Sequence, residues 1–326
     1  MKRWVLALVA CGVCVSTLLA QISLDVTLVT LVATVTDSNG RHVPNLVPSD
    51  FVVIEDGKEQ KISLVEQSDD LPLSIGVLLD TSGSMRTKIQ TATISIDRFL
   101  RSLDRDDDMF LMTFAAKPKL EQNYTNDRNK ISKALRGVKL NNQTALYDAI
   151  DQAILKVRDG KHPKKAILLV TDGQDTVSKI SLEQAMNDVR QSRVLLYCLG
   201  IGSSDVARRG RISGATQRGG FSFGSQDGVD MKVLNGLASA SGAKAFLVET
   251  NTATPTSIDD VLDEIAAELR SQYTIGYYPN HSPNDGQWHQ VVVRTKDSRF
   301  VVRSRKEYFG GRSGSSGDRP LNPRTN

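Results

Sequence analysis

Apolar positions follow two different rhythms along the chain. Over residues 25–36 β-branched residues dominate, and the run ends at Asp37-Ser38-Asn39-Gly40, a turn signal that closes a strand. A second run, residues 51–55, meets Asp56-Gly57 and resumes over 61–65, the pattern of a hairpin. These runs predict a small, sandwich-like β-rich module over residues 22–68.

Beyond Ser68-Asp69-Asp70 the texture changes. Short apolar runs at 73–79, 109–114, 166–170, 194–201 and 245–248 read as strands buried on both faces. Between them lie helical stripes: Ile89, Ala92, Ile96, Phe99 and Leu103; then Leu146, Ile150, Ala153, Ile154 and Val157; then Leu182, Ala185, Met186 and Val189. Two more stripes follow at 233–240 and 258–269. Strand then helix, repeated, predicts an α/β domain over residues 71–270: a doubly wound, mostly parallel sheet of Rossmann-like type. After Arg270 strand-like runs return at 273–278, 288–294 and 300–305. They predict a β extension over 271–309 that packs on the α/β domain or joins the N-terminal β module. Residues 310–326 are Gly, Ser, Pro and Arg without periodicity and read as a disordered tail. No internal repeat is present.

A length of 326 residues allows one α/β core plus smaller modules. With 40% hydrophobic and 24% charged residues, neither wholesale disorder nor a polytopic membrane protein is expected. Residues 1–20 stand apart: Lys2 and Arg3 precede an almost wholly apolar stretch that ends at the small residue Ala20. This reads as a signal peptide and predicts export, to a periplasm or the exterior. Two alternatives stay open. The segment is a retained anchor, although it is shorter than the ~20 residues of a spanning helix, or the chain is lipidated at Cys11, where Leu8-Val9-Ala10-Cys11 resembles a lipobox. Membrane contact is expected only through this segment. Cleavage would remove two basic residues from a formal charge of +4 and leave +2, so no nucleic-acid partner is expected. Only Cys198 would remain, inside a predicted buried strand, which points to an inert core thiol rather than a disulfide or a nucleophile.

In an open α/β sheet ligands bind beyond the carboxyl ends of the strands. There the chain places Asp80-Thr81-Ser82-Gly83-Ser84-Met85 after the first α/β strand, Thr144 at the start of the 146–157 helix, and Thr171-Asp172-Gly173-Gln174-Asp175 after the 166–170 strand. Three loops thus bring Asp80 and Asp172, with the hydroxyls of Ser82, Ser84 and Thr144, to one edge of the sheet. No imidazole or thiolate joins them. An all-oxygen donor set of low charge suits a hard cation, Mg²⁺ (or Mn²⁺), whereas structural zinc would call for Cys or His. Asp175 reads as a turn or salt-bridge residue. Asp148 reads as orienting the site, as solvated or as bonding a loop.

Asp80-x-Ser82-x-Ser84, Thr144 and Asp172 resemble, in order and spacing, the metal-ion-dependent adhesion site (MIDAS) of von Willebrand factor A domains. The segments LLDTSGSM, TALYDAI and LVTDGQD carry the resemblance over residues 71–270. With DFVVIEDGKEQKI upstream and QYTIGYYP downstream, the layout is similar to exported VWFA-related proteins common in Acidobacteria. The resemblance implies that Ser82 and Ser84 bind the metal directly, Thr144 directly or through water, and Asp80 and Asp172 largely through water or from outside the coordination sphere. It also implies a protein partner whose Asp or Glu carboxylate completes the shell, hence adhesion rather than turnover.

Enzyme readings fit poorly. An aspartyl phosphatase would have Asp where Ser82 stands. A serine hydrolase would need a nucleophile elbow and a His base, yet His42, His162, His281 and His289 all fall outside the predicted strand ends of the core. A P-loop is absent. The alternative to adhesion is a structural or assembly subunit of an envelope complex with a vestigial metal site. Residues 202–228, rich in Gly and carrying Arg208, Arg209, Arg211 and Arg218, read as a surface insertion or as positive charge bordering the metal face.

Overall fold

A computed structural model describes residues 28–67, 71–204, 228–249, 257–281 and 285–311. The expected signal peptide, nearly all of the 202–228 insertion and the tail from 312 onward lie outside the described residues. Among the described residues no helix is long and apolar enough to cross a membrane.

The chain opens with four strands, β1 (Val29–Thr36), β2 (Phe51–Glu55), β3 (Lys58–Gln60) and β4 (Ile62–Gln67). The α/β portion follows with β5 (Leu73–Asp80), α1 (Ile89–Ser102), β6 (Asp108–Phe114), β7 (Pro118–Thr125), α2 (Arg128–Arg136), α3 (Leu146–Val157), β8 (Lys164–Thr171), α4 (Leu182–Gln191), β9 (Leu195–Ser204), β10 (Gly228–Val229), α5 (Met231–Ser241), β11 (Ala245–Glu249) and α6 (Ile258–Arg270). It closes with β12 (Tyr273–Tyr277), β13 (Trp288–Thr295), β14 (Val301–Ser304) and β15 (Glu307–Phe309).

The central sheet has the order β7-β6-β5-β8-β9, with β11 and the short β10 both pairing β9. Every pair is parallel except β6–β7. β5 and β6 are buried at every position because helices cover both faces. Alternate residues of β5 point to opposite layers: Ile75, Val77 and Leu79 pack with α1, α2 and α6, while Leu78 packs with α3, α4 and α5. The chain starts in the middle of this sheet, at β5, moves outward to β6 and β7, then returns to β8 on the other side. Such a reversal opens a crevice at the carboxyl ends of the two central strands. Cys198 is fully buried on β9, and burial pushes its thiol pKa well up, consistent with an inert core residue.

The terminal segments pair with each other. One four-stranded sheet runs β14-β1-β12-β4 and the other β15-β13-β2-β3, so each takes two strands from before the α/β portion and two from after it. Leu31, Ala33, Phe51, Val53, Ile275 and Val291 form the apolar layer between them. The sandwich is fixed to the α/β portion at Glu268 of α6, which is buried and accepts from Thr34 Oγ1 (3.3 Å) and Tyr197 OH (2.5 Å) and pairs with Arg303 of β14. A second attachment lies at Gly242, the C-cap of α5. Its φ is +88°, and a Cβ there would stand 2.7 Å from the backbone nitrogen of Arg305. Gly242→Ala is therefore expected to lower stability by roughly 2 kcal/mol or more, combining left-handed strain with a backbone clash, as read by urea denaturation.

Candidate metal centre

Asp80, the last residue of β5, is fully buried. Its Oδ1 accepts the backbone N–H of Ser82 (2.8 Å) and its Oδ2 accepts the hydroxyl of Thr171 (2.7 Å), the neighbouring strand end on β8. The carboxylate is thereby locked in orientation. A single turn of 3₁₀ helix at Gly83–Met85, anchored by the buried Met85, follows and brings Ser82 Oγ and Ser84 Oγ to 3.0 Å. Asp172 comes directly after β8 and is 3% exposed. The next residue, Gly173, has a φ of +88°, and a Cβ there would lie 3.0 Å from the backbone nitrogen of Asp230, so the turn that presents Asp172 favours glycine.

Hydrogen bonds stitch the three loops into one edge. Asn141 N–H donates to Thr81 O (2.8 Å), and Ala145 N–H to Ala115 O (2.7 Å). Thr144 N–H donates to Thr176 Oγ1 (2.8 Å), while Thr144 O accepts Thr176 N–H (2.8 Å). Asp175 accepts Leu146 N–H (2.8 Å) and Ser178 Oγ (2.5 Å), capping the start of α3 from another loop. Asp148 accepts the N–H groups of Lys179 (2.9 Å) and Ile180 (3.1 Å). Both carboxylates thus set loop positions rather than facing the cleft, which resolves the sequence alternatives for Asp148 in favour of loop bonding.

The resulting cleft measures about 560 Å³, with Ser82, Ser84, Thr144 and Asp172 in its wall and Arg86 at its rim. Asp80 lies beneath it at the strand end. All five residues singled out in the sequence therefore meet at one sheet edge. Asp80 has its pKa pushed up to about 6, first by burial and then by the Asp172 charge, against the pull of the Thr171 and Ser82 hydrogen bonds. Opposite Asp172, the ammonium of Lys88 lies 3.9 Å from Oδ2, with both side chains nearly buried. Lys88 Nζ makes no hydrogen bond among the described residues. Nothing in the sequence marks it, because a lysine at a helix start is ordinarily solvated. Thr171 and Thr176 were also missed. For Thr171 a usable signal existed: a hydroxyl at a strand end beside a candidate acid.

The donor set fits a hard cation. Two buried carboxylates, Asp80 beneath the cleft and Asp172 in its wall, stand with a hydroxyl pair at one solvent-facing site, and the Lys88 ammonium is held at ion-pair rather than hydrogen-bond distance.

A sequence profile of the von Willebrand factor type A domain matches residues 74–260. A search of curated proteins returns no match. Among solved structures, a von Willebrand factor type A protein from Catenulispora acidiphila is 13% identical with a TM-score of 0.49, over 84% of this chain and 76% of that one. Proximal thread matrix protein 1 from the mussel byssus, in a form with a zinc-occupied MIDAS motif, is 16% identical with a TM-score of 0.49, over 66% of this chain and 49% of that one. BatB from Bacteroides thetaiotaomicron is 16% identical with a TM-score of 0.45, over 60% of this chain and 97% of that one.

Proposed function

Since the chain belongs to the von Willebrand factor type A family, whose domains are in general protein-interaction modules and commonly bind a divalent metal, we propose that this cleft holds Mg²⁺ (or Mn²⁺) and through it binds an Asp or Glu carboxylate of a partner protein. The observation that carries the reading is the pair of buried carboxylates, Asp80 beneath an open cleft and Asp172 in its wall, beside a hydroxyl pair 3.0 Å apart. When bound, the ion supplies a hard, partly uncompensated positive charge to which a partner's carboxylate is drawn. Ser82, Ser84 and Thr144 would offer neutral oxygens to it. Asp80, with each oxygen already accepting a hydrogen bond, contributes its charge and holds Ser82 in place. Asp172 contributes a second charge from the cleft wall. Arg86, exposed at the rim, adds positive potential toward an acidic partner. Export, by way of residues 1–20, is part of the same proposal.

Linkage supplies the test. Mg²⁺ affinity measured by calorimetry should tighten when a Glu-containing peptide is present in excess, because each ligand then favours the other's binding. In Ser82→Ala both the Mg²⁺ heat and the peptide effect should disappear. An affinity indifferent to the peptide, or heat unchanged in Ser82→Ala, would count against the reading.

Lys88 gives a prediction of opposite sign. Its ammonium competes for Asp172, and a unit charge about 4 Å away is worth about 1 kcal/mol even in bulk water. Lys88→Met is expected to tighten Mg²⁺ binding by about fivefold or more in the same titration, where loss of a merely structural side chain would weaken it.

A further inference from the structure

Apart from the cleft residues, a second group of metal-ligand side chains converges on the β-sandwich. Glu55 ends β2 and is buried. Its Oε1 accepts the hydroxyls of Tyr277 (2.9 Å) and Tyr308. Its Oε2 is buried and accepts no hydrogen bond among the described residues, although His281 Nε2 stands 3.3 Å away. A carboxylate oxygen withdrawn from water and left without a donor is costly, and each such atom in a folded protein calls for a reason.

The imidazoles of His281 and His289 stack beside it, with ring centroids 3.9 Å apart and planes 14° from parallel. His289 lies on β13 and is 6% exposed. Its Nδ1 bonds Asp56 Oδ2 at 2.8 Å, which leaves Nε2 facing Asp285 at 3.1 Å. Asp285 also lies 3.6 Å from His281 Nδ1. One ligand atom each from Glu55, His281 and His289 falls within 4.8 Å of the others.

We propose that Glu55, His281 and His289, with Asp285 as a fourth donor, form a site for a borderline divalent cation of the Zn²⁺ class, distinct from the hard-cation cleft. The chemistry of the donors decides the class: two imidazoles with carboxylates suit zinc and its neighbours, whereas Mg²⁺ is served by oxygen alone. Asp56 takes the position of the carboxylate that orients a metal-bound histidine through its other ring nitrogen. Ligand atoms of a tetrahedral centre with bonds of about 2.0–2.1 Å lie roughly 3.4 Å apart, so the group has to close by up to about 1.4 Å and one imidazole has to turn out of the stack, because each ring binds a metal in its own plane. Glu55 is fixed by two tyrosines and His289 by β13, and the movement falls to His281, in the connection between β12 and β13. Charge favours the same outcome, since three carboxylates gather around two imidazoles. Four protein donors leave no open position, so the site is structural. It ties β2, near the start of the chain, to the β12–β13 region more than 200 residues later.

Cobalt separates this site from the cleft. Four-coordinate Co²⁺ with nitrogen ligands absorbs visible light strongly, and six-coordinate Co²⁺ among oxygens absorbs weakly. The chelator-treated full chain, titrated with Co²⁺ in excess Mg²⁺, is expected to develop intense visible bands that saturate at one equivalent and are bleached by Zn²⁺. The bands should persist in Ser82→Ala and be lost in His281→Ala. His281 is partly exposed on a connection, so this variant is expected to keep its fold, as checked by its circular dichroism. Asp56→Asn should retain the bands with affinity weaker by about 10- to 100-fold, the effect of an orienting partner. Weak absorption in the wild type, or bands unchanged in His281→Ala, would overturn the proposal. So would bands lost in Ser82→Ala, which would assign the cobalt to the cleft.

Discussion

Glu268→Ala is expected to cost about 3 kcal/mol of stability, read as a lower urea midpoint at unchanged slope. The carboxylate is 2% exposed and stands where three parts of the molecule meet: Thr34 of β1, Tyr197 of β9 and Arg303 of β14. Truncation leaves the guanidinium of Arg303 without its partner and removes an acceptor from Tyr197, whose hydroxyl still receives Gln272 Nε2 at 2.9 Å. Breaking a buried pair by removing one member typically costs about 3–5 kcal/mol, and the lower end applies because the Arg303 side chain keeps 29% exposure. Glu268→Gln preserves shape and part of the hydrogen bonding, so its loss should be smaller. A loss below about 1 kcal/mol for Glu268→Ala would mean that the sandwich is held to the α/β portion by its apolar contacts alone.

The second large effect concerns Asp80 in protein kept free of divalent metal. Its carboxyl has a pKa near 3.8 when unfolded and about 6 when folded, so folding takes up a proton between these values. The favourable contribution is complete below about pH 4 and is lost as the pH rises through about 6. Above that pH the folded chain carries a buried charge, at a cost on the order of 3 kcal/mol. Asp80→Asn is expected to remove this cost: the metal-free variant should be more stable than wild type by roughly that amount at neutral pH and equal to it near pH 4. Saturating Mg²⁺ should reverse the order at neutral pH, since only the wild type would gain from the ion. Thermal melts at the two pH values, with chelator and with Mg²⁺, check both signs. A wild type that outranks Asp80→Asn at neutral pH in chelator would show that the charge is already compensated within the chain.

The buried strands and amphipathic helices of the α/β portion were legible because each announces itself locally. β5 and β6 carry short, mostly apolar runs, Ile75 to Leu79 and Met109 to Met112, and the stripes of α1, α3 and α6 repeat at helical spacing. β7 was not legible: it is a polar edge strand, half-exposed along its length, and its pairing is irregular. α2 is short and charged, with only Ile131, Ser132 and Leu135 buried, too few positions to set a period. The hairpin after Asp56-Gly57 closes with β3, ahead of the run at 61–65 expected to complete it; that run falls in β4, which pairs in the other sheet. Pairing of β1 with β12 and of β2 with β13 joins segments more than 200 residues apart, and such contacts leave no trace in local pattern.

The candidate site shows the same division. Asp80, Ser82, Ser84, Thr144 and Asp172 could be gathered from sequence because strand ends of a parallel sheet share one edge. Lys88 could not, since its burial depends on how α1 meets the Asp172 loop. Glu55, His281 and His289 were invisible as a group because their convergence depends on the exchange of strands between the two ends of the chain.

The most direct test of the metal-bridged reading is Mg²⁺ binding to the full chain by calorimetry at neutral pH, wild type beside Asp80→Ala. One binding site in the wild type, weakened by about 10- to 100-fold or more in Asp80→Ala, is the expected result. No Mg²⁺ binding to the wild type, or equal binding to both proteins, would contradict it and leave a cleft that holds no metal of its own.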